Sequence, residues 1–206
     1  MMFHASTVRS DTFAGMVLWG MIGLAGLMGC EPTPPEPIAS SESTDLTASP
    51  RIEEAELGDT QNVHRFADVW MCSQPSAEAL AMLRDQGVKT VINLRHPVET
   101  PDFDQRKAVT DLGITYHNPA FRNVDELTDE VLDEAVALLA SEADRPIAVY
   151  CSSANRVGAI WLAYRVLKDG IPFEDALEEA RQVGLRTDAY VERVREYVEK
   201  KNAAGN

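Results

Sequence analysis

The sequence predicts an α/β domain of three layers, a mostly parallel central sheet with helices on both faces. Two observations carry this. Short apolar runs rich in β-branched residues alternate with segments whose apolar residues recur at helical spacing, and strands that alternate with helices pair in parallel and are covered on both sides. One such run, Ile147 to Tyr150, feeds a short polar loop, Cys151 to Arg156, that opens directly into a helical segment. The stretch from Arg51 to Asn206 has the length of one ordinary domain with a substantial core.

Taken in order, Val69-Trp70-Met71-Cys72 reads as a strand. Ser76 caps a helix through Gln86, with Leu80 and Leu83 on its apolar face and Gly87 at its end. Val88 to Leu94 is a buried strand. A helix follows around Asp104 to Leu112 and stops at Gly113, and Ile114 to His117 makes another strand. Thr128 caps the helix that carries Val131, Leu132, Ala135, Leu138 and Leu139. After the Ile147 strand and its loop, Val157, Ile160, Trp161, Tyr164, Val166 and Leu167 mark a buried helix. Pro172 opens a helix through Val183 with Gly184 beyond it, and Thr187 opens the last one through about Lys200.

The loop Cys151-Ser152-Ser153-Ala154-Asn155-Arg156 is the chemical signal. A loop feeding a helix N-terminus aims several backbone N–H groups at one spot, and the helix dipole adds positive potential there. A thiolate at that spot is stabilised, which makes Cys151 a candidate nucleophile. Arg156 offers a planar fork for two oxygens of a phosphate, and Ser152, Ser153 and Asn155 offer side-chain hydrogen bonds. A cysteine and an arginine at this spacing are weak evidence alone, since free cysteine is often just a small buried residue. The position decides: ligands of open α/β sheets bind at the carboxyl ends of strands.

The N-terminal part reads differently. An apolar run from Phe13 to Gly29 ends directly at Cys30, the pattern of a signal peptide over residues 1–29. Leu27-Met28-Gly29-Cys30 resembles the lipobox of bacterial lipoproteins, in which the cysteine becomes the acylated first residue. The alternative is an uncleaved membrane anchor, since the run approaches the length that spans a bilayer. Both readings put the remainder outside the cytoplasm, at the periplasmic face of a bacterial envelope, and Glu31 after the cysteine favours the outer membrane. Residues 30–50, rich in Pro, Ser, Thr and acid, read as a disordered tether, and residues 51–206 as the folded domain. The formal net charge of −14, with no basic stripe, argues against nucleic acid as a partner. His4, His64, His96 and His117 show no metal-ligand spacing, and no dinucleotide-type glycine loop is present, so no metal or cofactor is expected.

Between about Asn62 and Leu185 the chain resembles the cysteine-dependent tyrosine and dual-specificity phosphatases, and most closely the phosphatase-like domain of beta-lactamase-hydrolase-like proteins. The resemblance rests on Ser73-Gln74-Pro75-Ser76, on Gly87 to Arg95 (GVKTVINLR), on the Cys151–Arg156 loop and on Asp175 to Ala180 (DALEEA). It implies attack of Cys151 on phosphorus, a thiophosphate intermediate, and a cradle made by Ser152, Ser153, Ala154, Asn155 and Arg156. It also implies a general acid after the strand containing His117: Asp125 first, Glu126 second, with Glu99 and Asp102 as weaker choices, and with His117 and Arg122 as pocket-lining candidates. Four departures stand out. Only four residues separate Cys151 from Arg156, where most of the superfamily has five. Tyr150 replaces a histidine, Ala154 a glycine and Val157 a hydroxyl residue. The short loop also resembles that of rhodanese-like sulfurtransferases, which gives a second reading, transfer of sulfur from a donor through a persulfide on Cys151. A third is an anion-binding module without turnover. Finally, the resembled fold sets the strand ending at Cys72 beside the one ending at Cys151, making Cys72 a candidate redox partner of the nucleophile.

Overall fold

A computed structural model describes residues 50–100 and 102–205. The expected signal peptide, Cys30 and the tether up to residue 49 lie outside the described residues. Six strands, β1 (Glu53–Glu54), β2 (His64–Phe66), β3 (Val69–Cys72), β4 (Thr90–Asn93), β5 (Thr115–His117) and β6 (Ile147–Tyr150), form one sheet in the order β1-β2-β3-β6-β4-β5. The β3-β6-β4-β5 part is parallel, and β1 and β2 add to it as an antiparallel edge. Among the described residues six α-helices accompany it: α1 (Ala77–Asp85), α2 (Gln105–Asp111), α3 (Asp129–Leu139), α4 (Asn155–Leu167), α5 (Phe173–Val183) and α6 (Asp188–Ala204).

The three layers follow from side-chain alternation along the strands. Val69, Met71, Ile92, Ile147 and Val149 point to one face and pack with α3, α4, α5 and α6. Trp70, Cys72, Val91, Ala148 and Tyr150 point to the other and pack with Leu80 and Leu83 of α1 and Val109 of α2. Every residue of β3, β4 and β6 is buried, as continuous apolar runs in a two-sided sheet require.

Helix boundaries fall where the capping residues put them. Ser76 Oγ accepts from Ala79 N–H at 3.2 Å, Asp104 Oδ1 from Lys107 N–H at 2.9 Å, and Thr128 Oγ1 from Val131 N–H at 3.4 Å. The last helix runs to Ala204, one turn past its expected end. Sequence reasoning missed β1 and β2: β1 is two exposed glutamates, and β2 is His-Arg-Phe, so neither carries a β-branched run or an alternation to read. Backbone pairing to β3 makes them strands. Among the described residues no helix is long and apolar enough to cross a membrane.

Helix α4 is buried on nearly all sides, and α5 crosses it at very close range. A Cβ at Gly158 would lie 2.7 Å from Ala180 O and 2.8 Å from Leu185 N, both backbone atoms. Helix propensity favours alanine over glycine by about 1 kcal/mol, but the steric conflict is with the end of α5 itself. Gly158→Ala is therefore expected to destabilise the protein by about 1–3 kcal/mol net. Thermal unfolding of the purified protein followed by circular dichroism checks this: the melting midpoint should fall by several degrees, whereas a rise would mean that α5 yields freely.

Candidate active site

The carboxyl ends of β3, β4 and β6 meet at one place. Cys151 N–H donates to Cys72 O at 3.4 Å, Leu94 N–H to Tyr150 O at 3.0 Å, and Ser153 forms a bridge with Ser73. Cys151 is 1% exposed at the floor of this junction, and Ser152 above it is exposed. Ala154 then turns the chain in the left-handed region, φ +61°, and α4 starts at Asn155. That conformation costs a non-glycine residue about 1 kcal/mol, and packing supplies the offset: the Ala154 methyl is fully buried. It fits because residue 184 is glycine, with φ +130° and no Cβ, which would lie 3.1 Å from that of Ala154. The first-turn N–H groups of α4 have no intrahelical acceptor and face the loop end of the helix dipole.

Arg156, on the first turn of α4, is only 7% exposed and is fully engaged on one edge. Its Nη1 donates to Leu94 O (3.0 Å), Phe121 O (2.6 Å) and Glu99 Oε1 (2.9 Å), and its Nη2 donates to Glu99 Oε2 (2.8 Å). Glu99 thus takes the end-on fork of the guanidinium. The side-on edge, formed by Nε–H and the second Nη2–H, has no hydrogen-bond partner among the described residues, and it is the edge that suits two oxygens of a phosphate. Burial alone would raise the Glu99 carboxyl. The bonds from Arg156 and from His96 N–H (2.9 Å), with Arg95 nearby, instead hold it at about 2. Glu99 is therefore a permanent carboxylate and no proton donor, which removes it from the general-acid candidates.

The two loops around Arg156 are tied into a closed circuit. His96 Nε2 meets Glu126 Oε2 at 2.7 Å, and the same oxygen accepts Arg122 N–H at 2.7 Å. Arg122 O accepts from Tyr190 Oη at 3.0 Å, and the Tyr190 ring stands edge-on to Phe121, whose carbonyl holds Arg156. The hydrogen bonds from His96 and Arg122 lower the Glu126 pKa, so it too stays ionised. Below, Tyr150 Oη donates to Gln105 Oε1 (2.7 Å), Gln105 Nε2 to Gln74 Oε1 (2.9 Å), and Arg95 Nη1 to Gln74 Oε1 (3.0 Å). Arg95 in turn donates to Glu99 O at 2.9 Å. A largely buried polar chain therefore runs from Tyr150 to the backbone of Glu99, the residue whose carboxylate holds Arg156. Beside it, a cavity of about 380 Å³ is lined by Asn93, Thr100, Phe103, Gln105, Tyr116 and Asn118.

Not every expected residue comes to the cradle as a side chain. Ser153 and Asn155 turn outward: Ser153 Oγ accepts from Arg186 Nη2 at 2.6 Å, Asn155 Nδ2 donates to Thr187 Oγ1 at 2.8 Å, and Asn155 Oδ1 accepts Arg186 N–H at 2.8 Å. Their hydroxyl and amide brace the loop against the α5–α6 turn, and the backbone of Ser152 to Asn155 is left to form the cradle. Asp125 is exposed in the 124–126 turn, and Asp102 is exposed as well. Arg122 is exposed too, and His117 is half-buried at the end of β5. Cys72 and Cys151 are both free thiols. Cys72 sits opposite Tyr150 in the sheet, one residue before Cys151, so alternation sends its thiol to the α1–α2 face and that of Cys151 to the α4 face. Burial pushes the Cys72 thiol far up. It is a buried core residue, and the two thiols are not joined in a disulfide. The same alternation places Tyr150 away from Cys151. Sequence reasoning missed Tyr190, Arg186 and the Gln74–Gln105–Arg95 chain. Only their partners, 21 to 68 residues away, identify them.

Removing the Glu99 carboxylate leaves Arg156 as a buried cation with only neutral acceptors. Glu99→Gln is expected to cost about 3–5 kcal/mol of stability at neutral pH. The depressed carboxyl gives the sign of the pH dependence: wild-type stabilisation is complete above the ordinary value near 4.5 and is lost as pH falls towards about 2. Urea unfolding at neutral and at low pH checks this, since the gap between wild type and variant should narrow on acidification. A gap that stays constant would refute the charge-pair account.

A cysteine at a strand end, a helix N-terminus behind it and a guanidinium with one open edge make an arrangement suited to a tetrahedral anion. The solved structures agree in fold. TpbA of P. aeruginosa superposes with a TM-score of 0.55 at 24% identity, covering 71% of this chain and 88% of that one. A second TpbA structure, in complex with pTyr, gives 0.55 at 23% identity, covering 72% and 88%. The core catalytic domain of the PP-IP phosphatase SIW14 from S. cerevisiae gives 0.57 at 18% identity, covering 70% and 91%. No curated protein sequence matches the chain. The family described as DSP-PTPase phosphatase fused to NAD+ kinase matches residues 42–188, more than half of the chain, and so the protein belongs to that family of cysteine-dependent phosphatases.

Proposed function

We propose that this phosphatase is a lipid-anchored enzyme of the bacterial cell envelope, acting on phosphate esters at the periplasmic face of the outer membrane. The observation that carries the chemistry is the open side-on edge of Arg156 at the end of α4, beside Cys151. The thiolate of Cys151 attacks phosphorus as the bond from phosphorus to the leaving oxygen breaks. Arg156 and the N–H groups of the loop hold the non-bridging oxygens, whose charge changes as the trigonal bipyramid forms. In the role that the family resemblance implies for it, Asp125, exposed in the turn after β5, gives a proton to the leaving oxygen. Water then cleaves the thiophosphate and releases phosphate. TpbA was crystallised with pTyr and SIW14 is a phosphatase of PP-IP substrates, which supports phosphorylated side chains and phosphorylated polyols as the range to test. The four-residue spacing between Cys151 and Arg156 favours a second reading, sulfur transfer on the same cysteine.

Anchoring is supported by the sequence pattern, an apolar run ending at Cys30 and followed by a Pro/Ser-rich acidic stretch. Diacyl modification of Cys30 would supply the two chains that stable anchoring needs.

Turnover of p-nitrophenyl phosphate, run beside thiosulfate-to-cyanide sulfur transfer, decides the chemistry. The phosphatase reading expects the first activity to vanish in Cys151→Ser and the second to be absent. The same assay reads Asp125→Asn: hydrolysis of an alkyl phosphate should fall about 100-fold or more, while the nitrophenyl ester, whose leaving group needs no proton, falls far less. Equal losses on both esters would remove Asp125 as the acid. For the anchor, Cys30→Ser should leave the precursor unprocessed or release it from the membrane fraction. Normal processing and retention of that variant would refute lipidation.

A further inference from the structure

The loop after β5 passes the site at Phe121, whose carbonyl accepts from Arg156 Nη1 at 2.6 Å, and then winds tightly through Arg122 to Glu126. Both ends of this turn are fastened to α6: Arg122 O accepts from Tyr190 Oη at 3.0 Å, and Leu127 O from Arg193 Nε at 2.8 Å. Its middle is closed by one side chain. Glu126 Oε2 accepts Arg122 N–H at 2.7 Å, and the Glu126 N–H donates to Asn123 Oδ1 at 3.1 Å. The same Oε2 lies 2.7 Å from His96 Nε2 in the loop after β4. A carboxylate only accepts, so Nε2 carries the hydrogen. Among the described residues this is the one side chain-to-side chain hydrogen bond between the two loops, 94–104 and 118–127. A half-exposed pair of this kind adds little to folding stability. What it fixes is the path of residues 122–126, and the exposed Asp125 is its neighbour in the chain. His96 is itself tied to the site, because its N–H donates at 2.9 Å to Glu99, the carboxylate that holds Arg156. Glu126 therefore joins the turn that carries Asp125 to the same frame that orients the guanidinium.

We propose that Glu126 is a positioning residue: it closes the turn and, through His96, holds it beside the Arg156 guanidinium, so that Asp125 meets the leaving oxygen of a phosphate ester bound over Cys151. Two neighbouring carboxylates thus divide the work, Glu126 as the fixed strut and Asp125 as the proton donor that it presents. This role rests on the phosphatase reading and on Asp125 as its general acid.

The test measures kcat and KM for an alkyl phosphate and for p-nitrophenyl phosphate, together with the inhibition constant of inorganic phosphate, which reports on the cradle. Glu126→Ala should lower kcat for the alkyl ester about 10- to 100-fold, a large part of what a general acid supplies, with a much smaller loss on the nitrophenyl ester. The phosphate inhibition constant should stay close to that of the wild type. Glu126→Gln keeps an oxygen that accepts Arg122 N–H, so it should recover part of the loss, and His96→Gln, which keeps an N–H donor, should lose less than His96→Leu. In an Asp125→Asn background Glu126→Ala should add about two-fold or less, since a residue that acts through Asp125 then has nothing left to position. Equal losses on both esters, or a raised phosphate inhibition constant, would make Glu126 a support of the cradle through Phe121 and overturn the proposal. Additive losses in the double variant would overturn it as well. If Asp125→Asn loses the alkyl ester selectively while Glu126→Ala and His96→Leu do not, Asp125 stands as the acid and the positioning role alone is refuted. If Asp125→Asn loses both esters equally, the acid reading falls and takes this role with it. A wild-type protein that turns over neither ester would refute the phosphatase reading, and the role of Glu126 with it.

Discussion

The buried ion pair between Arg156 and Glu99 is the constraint around which the site is organised. Taking a guanidinium out of water costs several kcal/mol, and Coulomb attraction repays this only when the remaining donors are satisfied. Here Leu94 O and Phe121 O satisfy them, and each belongs to a different loop, after β4 and after β5. Glu99 comes from the same loop as Leu94, in the short turn Pro97–Glu99. One cation therefore fixes two loops relative to α4. The arrangement leaves a single edge of the guanidinium open, so the residues that stabilise the charge also aim it. The same pair explains why Glu99 is unsuited to proton transfer: what keeps Arg156 in place keeps that carboxyl ionised.

Strand alternation then divides the labour between the two faces of the sheet. Cys151 belongs to the face packed by α4, the helix that carries Arg156 on its first turn. Cys72 and Tyr150, its neighbours at the sheet end, belong to the α1–α2 face. The Tyr150 hydroxyl, buried and bonded to Gln105, joins a polar chain that reaches Glu99 from behind through Gln74 and Arg95. Burial raises the phenol well above its ordinary range, so it remains a neutral donor. A histidine there would place a titrating group in this chain. Tyr150 gives up that cation and keeps the support of Arg95 independent of pH.

How much of this was legible depended on the range of the interaction. Helix ends could be read because a cap is local: Ser76, Asp104 and Thr128 each bond three residues ahead. The buried strands could be read because burial on both faces forces continuous apolar runs. β1 and β2 could not, since pairing with a neighbour, not composition, makes Glu53–Glu54 and His64–Phe66 extended. Within the site, Cys151 and Arg156 were legible from the strand-loop-helix context. The outward turn of Ser153 and Asn155 was not, because their partners Arg186 and Thr187 lie 33 and 32 residues further on. Glu99 was visible only as a weaker general-acid candidate, and its role as the partner of Arg156 depends on a residue 57 positions away.

The short Cys loop makes sense together with that outward turn. With four residues between Cys151 and Arg156, and with alanine at the one position that takes a left-handed conformation, the loop carries strain that its own backbone cannot relieve. The α5–α6 turn relieves it from outside. Gly184 makes room for the Ala154 methyl, Thr187 and the Arg186 N–H hold the Asn155 amide, and the Arg186 side chain holds Ser153. Charge is handled locally as well. A protein with a net charge of −14 should repel a phosphate ester, but the Glu99 carboxylate is paired with Arg156 and Arg95, and Glu126 is engaged by the His96 ring and the Arg122 N–H. The positive end of α4 and the open edge of Arg156 are left as the local source of the positive potential that an acidic protein needs at a phosphate site.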